Sequence, residues 1–139
     1  MPDNFVPNLK LQEVISAVRE FHDAFRIRNE NEPTVAVDDK TVLLRYKLMR
    51  EENEEYLEAA QNEDLVEVAD ALGDMLYILC GTILSHGMQH KIEEVFQEIQ
   101  RSNMSKLDAN GDPIYREDGK VLKSELYFKP DIKSILDKN

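Results

Sequence analysis

Apolar residues recur at helical spacing through most of the chain. Leu11, Val14, Ile15, Val18, Phe21, His22 and Phe25 follow the i, i+3, i+4, i+7 pattern and predict an amphipathic helix from about Leu9 to Arg28. The pattern stops between Asn29 and Asp39, where Pro33 and clustered polar residues predict a loop. A second helix is expected over Lys40 to Gln61. Asn62 reads as the N-cap of a third, with Glu63 and Asp64 in its first turn and Gly87 as its C-cap. Within it, Met75 to Leu84 is nearly unbroken apolar sequence. That run falls short of the roughly twenty residues a bilayer span needs and is read as a buried helix. Ile92, Val95, Phe96 and Ile99 mark a fourth helix over Gln89 to Met104. Beyond Ser105, Asn110-Gly111-Asp112-Pro113 and Glu117-Asp118-Gly119 are turn signals around a small hairpin or ordered loop. The expected fold is all-α, a four-helix bundle with an irregular C-terminal extension. A chain of 139 residues fits one domain over 1–139, with a helical core of about 9–104 and an extension of about 105–139.

Charge changes the picture. The net charge is −11, with 17 basic and 28 acidic side chains, which opposes general affinity for nucleic acid or an anionic membrane. Residues 1–50 sum to zero, whereas residues 51–74 hold Glu51, Glu52, Glu54, Glu55, Glu58, Glu63, Asp64, Glu67, Asp70 and Asp74 with no Lys or Arg. The single cysteine, Cys80, excludes an internal disulfide and is read as a core residue. Met1-Pro2-Asp3-Asn4 lacks the basic start of a secretory signal, so a cytoplasmic location is expected.

On a helical wheel Glu51, Glu55 and Glu52 fall within an arc of about 100° that also holds Leu44, Leu48 and Ala59. Glu54 and Glu58 lie further from that arc and are weaker candidates. Glu67, Asp70 and Asp74 share a stripe of the third helix with Tyr77, Ile78 and Gly81. Carboxylates turned inward without counter-charges repel one another and lose hydration, and a bound cation would compensate. Hard oxygen donors suit Mg²⁺ or Mn²⁺. The alternative is a solvated acidic surface. His22, His86 and His90 lack the Glu-x-x-His pairing of di-iron bundles and are read as core-edge or surface residues. The start of a calcium loop at Asp108 fails because Pro113 and Gly119 stand where Gly and Glu are needed.

The blocks Leu48-Met49-Arg50-Glu51-Glu52-Asn53-Glu54-Glu55 and Val66-Glu67-Val68-Ala69-Asp70-Ala71-Leu72-Gly73-Asp74 resemble the all-α nucleoside triphosphate pyrophosphohydrolases. That superfamily includes MazG proteins, dimeric dUTPases and phosphoribosyl-ATP pyrophosphohydrolase. Its signature is Glu-Glu-x-x-Glu on one helix and Glu-x-x-Asp on the next. Glu51, Glu52 and Glu55 match the first half. The second half reads in two registers: Glu67-x-x-Asp70 matches by letter, whereas Gly73-Asp74-Met75-Leu76 matches by context and puts Ala71 where the family has Glu. Arg101 to Lys106 and Asp118 to Lys123 are similar to the phosphoribosyl-ATP pyrophosphohydrolase-like branch.

The resemblance implies Mg²⁺-dependent cleavage between the α and β phosphates of a nucleotide, with Mn²⁺ as a substitute. It implies Glu51, Glu52, Glu55, Glu67, Asp70 and Asp74 as metal ligands, Glu51 or Glu52 as proton acceptor, and Asn103 and Lys106 on phosphate oxygens. Lys120 and Lys123 are further substrate-loop candidates. Phe21 and Tyr77 are either core aromatics or contacts for the base. The family forms homodimers or homotetramers, and Met75 to Leu84 suits such an interface. Three functions remain open: a house-cleaning (d)NTP pyrophosphohydrolase, a phosphoribosyl-ATP pyrophosphohydrolase of histidine biosynthesis, and an inactive scaffold of the same fold.

Overall fold

The computed structural model describes Phe5 and residues 7–138. Met1 to Asn4, read above for a leader, lie outside the described residues. Among the described residues five helices follow one another: α1 Leu11–Ala24, α2 Asp39–Gln61, α3 Leu65–Ser85, α4 Ile92–Met104 and α5 Ile132–Asp137. No strand occurs among the described residues, and the expected hairpin is a single bridge between Tyr115 and Val121. The chain divides into two compact units, Met1–Gln89 and His90–Asn139.

In the first unit α2 packs along α3 and α1 packs on α3. The connection between α2 and α3 is longer than the sequence suggests, three residues rather than a single shared cap. Asn62 caps the C-terminus of α2, and Glu63 takes the left-handed conformation at φ 56°. Asp64, rather than Asn62, caps α3 by accepting from the Glu67 N–H at 3.1 Å. Two cap-forming residues stand two positions apart, and the one nearer the apolar run takes the role. The core is Ile15 and Val18 of α1, Ala59 of α2, and Ala71, Cys80, Ile83 and Leu84 of α3.

The segment between α1 and α2 is fastened to the C-terminal end of α3. Glu30 N–H donates to Leu84 O and Thr34 N–H to His86 O, both at 2.9 Å, while the Gln89 side chain donates to Glu30 O at 2.8 Å. Gly87 makes this possible: its φ is +66°, and any Cβ there would run into the Glu32 backbone.

The Met75 to Leu84 run is only partly covered. Cys80, Ile83 and Leu84 are buried, but Leu76 and Leu79 are about half exposed, as is Leu72 one turn earlier. By length and composition α3 is also apolar enough to cross a membrane.

In the second unit α4 packs on α5. The extension is ordered by side chains that replace a backbone ladder. Ser124 Oγ donates to Ser105 O and Leu107 O, Ser102 Oγ donates to Phe128 O at 2.8 Å, and the Arg101 guanidinium lies 4.3 Å over the Phe128 ring. Asp108 accepts from the N–H groups of Asn110 and Asp112, forming the turn that sequence alone could mistake for a calcium loop.

Candidate active site

The acidic residues of α2 and α3 do not all behave alike. Glu52 and Asp74 are the half-buried ones, and Glu52 is distinguished by a buried carboxylate oxygen. That oxygen, Oε2, has no hydrogen-bond partner. The Glu52 carboxyl is pushed up to about 7, first by burial, then by the adjoining Glu55 carboxylate as hydrogen-bond partner and like charge, and then by Asp74 and Asp70. Two helices thus place four carboxylates in one neighbourhood: Glu52 and Glu55 from α2, and Asp70 and Asp74 from α3.

Glu51 and Glu67 stand apart from this group. Glu51 is exposed, although the wheel puts it in the inward arc. Glu67 is also exposed and lines a cleft of about 380 Å³ with Glu55, Glu58, Asn62 and Asp64. Glu55 therefore belongs to both the cleft and the Glu52 group, and Glu58, the weaker sequence candidate, belongs to the cleft. Among the described residues no three His, Cys, Asp or Glu side chains converge to metal-holding spacing.

The donor set nevertheless fits a hard divalent cation. All four groups are carboxylates, no Lys or Arg occurs between residues 51 and 74, and one buried oxygen lacks a partner. A nearby cation would offset both the repulsion and the desolvation of Glu52.

Towards the N-terminal half of α2 lies a cavity of different character. It has a volume of about 450 Å³, within the range of roughly 300–1,000 Å³ usual for small-molecule sites. Phe21 and His22 of α1, Leu44, Arg45 and Leu48 of α2, and Tyr77 of α3 line it. Phe21 and Tyr77 meet edge to face with ring centroids 5.6 Å apart, and both are about 40% exposed, so they form a wall open to solvent rather than part of the core. Leu48 precedes Glu52 by one helical turn, and Tyr77 follows Asp74 by three residues, so the same two helices carry the cavity and the carboxylates.

Arg45 and His22 are the residues that sequence reading missed. Arg45 is nine-tenths buried, with Nε donating to Thr82 Oγ1 at 3.1 Å and Nη2 to Ile78 O at 2.8 Å. No carboxylate among the described residues pairs with it, and burial lowers its pKa from the ordinary arginine value. His22 is buried at 2% exposure, its Nδ1 lies 2.7 Å from Asn29 Oδ1, and burial likewise lowers its pKa. Gly81 lets both side chains approach α3: a Cβ there would collide with Arg45 Nη2 and come within 2.9 Å of His22 Nε2.

The remaining sequence candidates fall in the second unit. Asn103 is exposed and Lys106 half-buried at the end of α4. The helix is closed by the Ser105 N–H and by the Ser105 hydroxyl on Ser102 O, so capping employs neither side chain. Lys120 is exposed beside the Asp118-Gly119 turn, and Lys123 places Nζ 4.6 Å over the Tyr127 ring.

This all-helical chain is a member, by the family match, of the all-α nucleoside triphosphate pyrophosphohydrolase superfamily, whose enzymes hydrolyse phosphorus-containing anhydrides. The model of the phosphoribosyl-ATP pyrophosphohydrolase family matches residues 18–103, well over half of the chain, and the protein belongs to that family. The match takes in α2 and α3 entirely, with both carboxylate pairs and the aromatic cavity. No curated protein matches the sequence.

Proposed function

We propose that the protein is an Mg²⁺-dependent nucleoside triphosphate pyrophosphohydrolase that cleaves a (d)NTP between the α and β phosphates, releasing a nucleoside monophosphate and pyrophosphate in the cytoplasm. The observation that carries this reading is Glu52: a carboxylate with a buried, unpartnered oxygen among three more carboxylates from two helices. Glu55, Asp70 and Asp74 would hold the metal. Bound Mg²⁺, or Mn²⁺ in its place, supplies neutralisation of phosphate oxygens and acidification of a water. In this reading Glu52 takes a proton from the attacking water, with the bound cation favouring its ionised form.

The aromatic cavity would take the base, with Phe21 and Tyr77 as its wall. A ribose would then span the single turn of α2 between Leu48 and Glu52. Residues 1–139 act as one catalytic domain in this reading, and Asn103, Lys106, Lys120 and Lys123 are the basic and amide donors available for the phosphates. The exposed leucines of α3, Leu72, Leu76 and Leu79, support a homodimer or homotetramer formed through that face.

The description of the matched family gives phosphoribosyl-ATP as a second candidate substrate. Pyrophosphate release from standard and modified (d)NTPs and from phosphoribosyl-ATP, with Mg²⁺, Mn²⁺ or chelator, separates the readings. Metal-dependent release from a (d)NTP in preference to phosphoribosyl-ATP supports the proposal, and the reverse preference assigns the histidine pathway. Absence of release from every compound by the folded protein assigns the inactive scaffold.

A further inference from the structure

The chemistry of the cavity floor narrows the substrate beyond its phosphates. Asn29 Nδ2 donates to the Asp23 carboxylate at 3.3 Å, and a carboxylate only accepts. That contact turns Asn29 Oδ1 towards His22 Nδ1, 2.7 Å away, so Nδ1 must carry the imidazole proton. Burial keeps the ring neutral, and the remaining nitrogen, Nε2, is left as an acceptor. Beside it, against the same bare Cα of Gly81, lies the Arg45 guanidinium. Its Nε and Nη2 are committed to Thr82 and Ile78, which fixes its plane, and no hydrogen bond among the described residues engages Nη1. Both side chains line the cavity. The floor therefore offers a fixed donor next to a fixed acceptor.

We infer that Arg45 and His22 read the lactam edge of a nucleobase, a carbonyl oxygen beside a ring N–H, as found in uracil, thymine, guanine and hypoxanthine. The carbonyl accepts from Arg45 Nη1 and the ring N–H donates to His22 Nε2. In the same orientation of the base, set by its sugar and phosphates, cytosine and adenine present the reverse order, an amino group beside an unprotonated ring nitrogen, which sets donor against donor and acceptor against acceptor. In a buried pocket such a mismatch leaves polar groups unpaired on both sides, which is the strongest ordinary means of rejecting an analogue. Arg45 and His22 are specificity-determining residues, while Asn29 and Asp23 act through His22 as positioning residues. The inference rests on the proposal that this cavity takes the base of a nucleotide.

The test uses two pairs that differ only at this edge: dUTP with dCTP, and dITP with dATP. For the full chain with Mg²⁺, kcat/KM for pyrophosphate release is measured beside calorimetric binding of the corresponding α,β-imido analogues. The lactam member is expected to be favoured by at least about tenfold in both pairs and in both readouts. Arg45→Met and Asn29→Ala should each bring the ratio to within about threefold. Asn29 lies in the connecting segment, so its variant keeps the test decisive where Arg45→Met does not fold. Equal binding, or preference for the amino base, in either pair with pyrophosphate release intact overturns the inference and leaves the hydrolase standing. A lactam preference that survives both substitutions overturns the assignment to Arg45 and His22. Failure of every triphosphate to turn over and of every analogue to bind removes the (d)NTP pyrophosphohydrolase reading, and the inference with it.

Discussion

Two places on the α2–α3 hairpin, about two helical turns apart along α2, solve the burial of charge in opposite ways. Around Glu52 four carboxylates gather on a stretch, residues 51–74, that has no Lys or Arg. At Arg45 a cation is buried with no carboxylate paired to it among the described residues. The two could have neutralised each other had Arg45 stood one turn later. Instead the guanidinium is held by a carbonyl and a hydroxyl of α3, and Glu52 keeps an oxygen with no partner. A fold selected for stability alone would pair such groups or replace them with apolar residues, because an uncompensated buried charge costs several kcal/mol. Keeping them separate leaves one end of the hairpin suited to a cation and the other to a polar edge.

The comparison is broken most severely at its acidic end. Glu52→Gln and Asp74→Asn, each nearly isosteric, should lower kcat by at least about 100-fold while leaving the helical circular dichroism spectrum intact. Unchanged turnover would remove the altered residue from the site. At the other end, Gly81→Ala should destabilise the protein by about 1–3 kcal/mol in urea unfolding, since the added methyl group strikes Arg45 and crowds His22.

A pH series sharpens the contrast. Because the Glu52 carboxyl is raised from 4.5 to about 7, the folded metal-free protein binds a proton that the unfolded chain has already lost between those values. Stability from this group is therefore present below about 4.5 and lost as pH rises towards 7. The Tm without divalent ions should fall across that window, Mg²⁺ should oppose the fall, and Glu52→Gln should remove this contribution. The smallest effect belongs to the exposed Arg50–Glu54 pair at 3.1 Å, next to the acidic group but outside it. Arg50→Ala should change stability by no more than about 0.5 kcal/mol.

The acidic end was legible in the sequence because its residues recur at helical spacing on two adjacent helices and follow a known motif. Of the three carboxylates that the wheel turns inward on α2, Glu52 is half-buried while Glu51 and Glu55 are exposed: a projection gives direction but not depth. The Arg45 end was illegible because its contacts span 33 and 37 residues, and nothing local to Arg45 announces Ile78 or Thr82. His22 fits an apolar stripe, so only Asn29, brought back by the loop, distinguishes it from a core histidine. Helix α5 escaped notice because six residues are too few to show a period; its evident signal is Asp131, which accepts from Ser134 N–H. The α2–α3 turn was misplaced by two residues because Asn62 and Asp64 are both competent caps.

That turn has a consequence of its own. With only Asn62, Glu63 and Asp64 between them, α2 and α3 have little freedom to slide past one another. The interval from Leu48 to Glu52 is four residues of helical rise, about 6 Å, and is set by backbone geometry rather than by any flexible segment. The hairpin therefore works as a gauge. Whatever fills the cavity must place its reactive linkage at a distance graduated in helical turns, and a molecule with a longer or shorter spacer would fit at one end only.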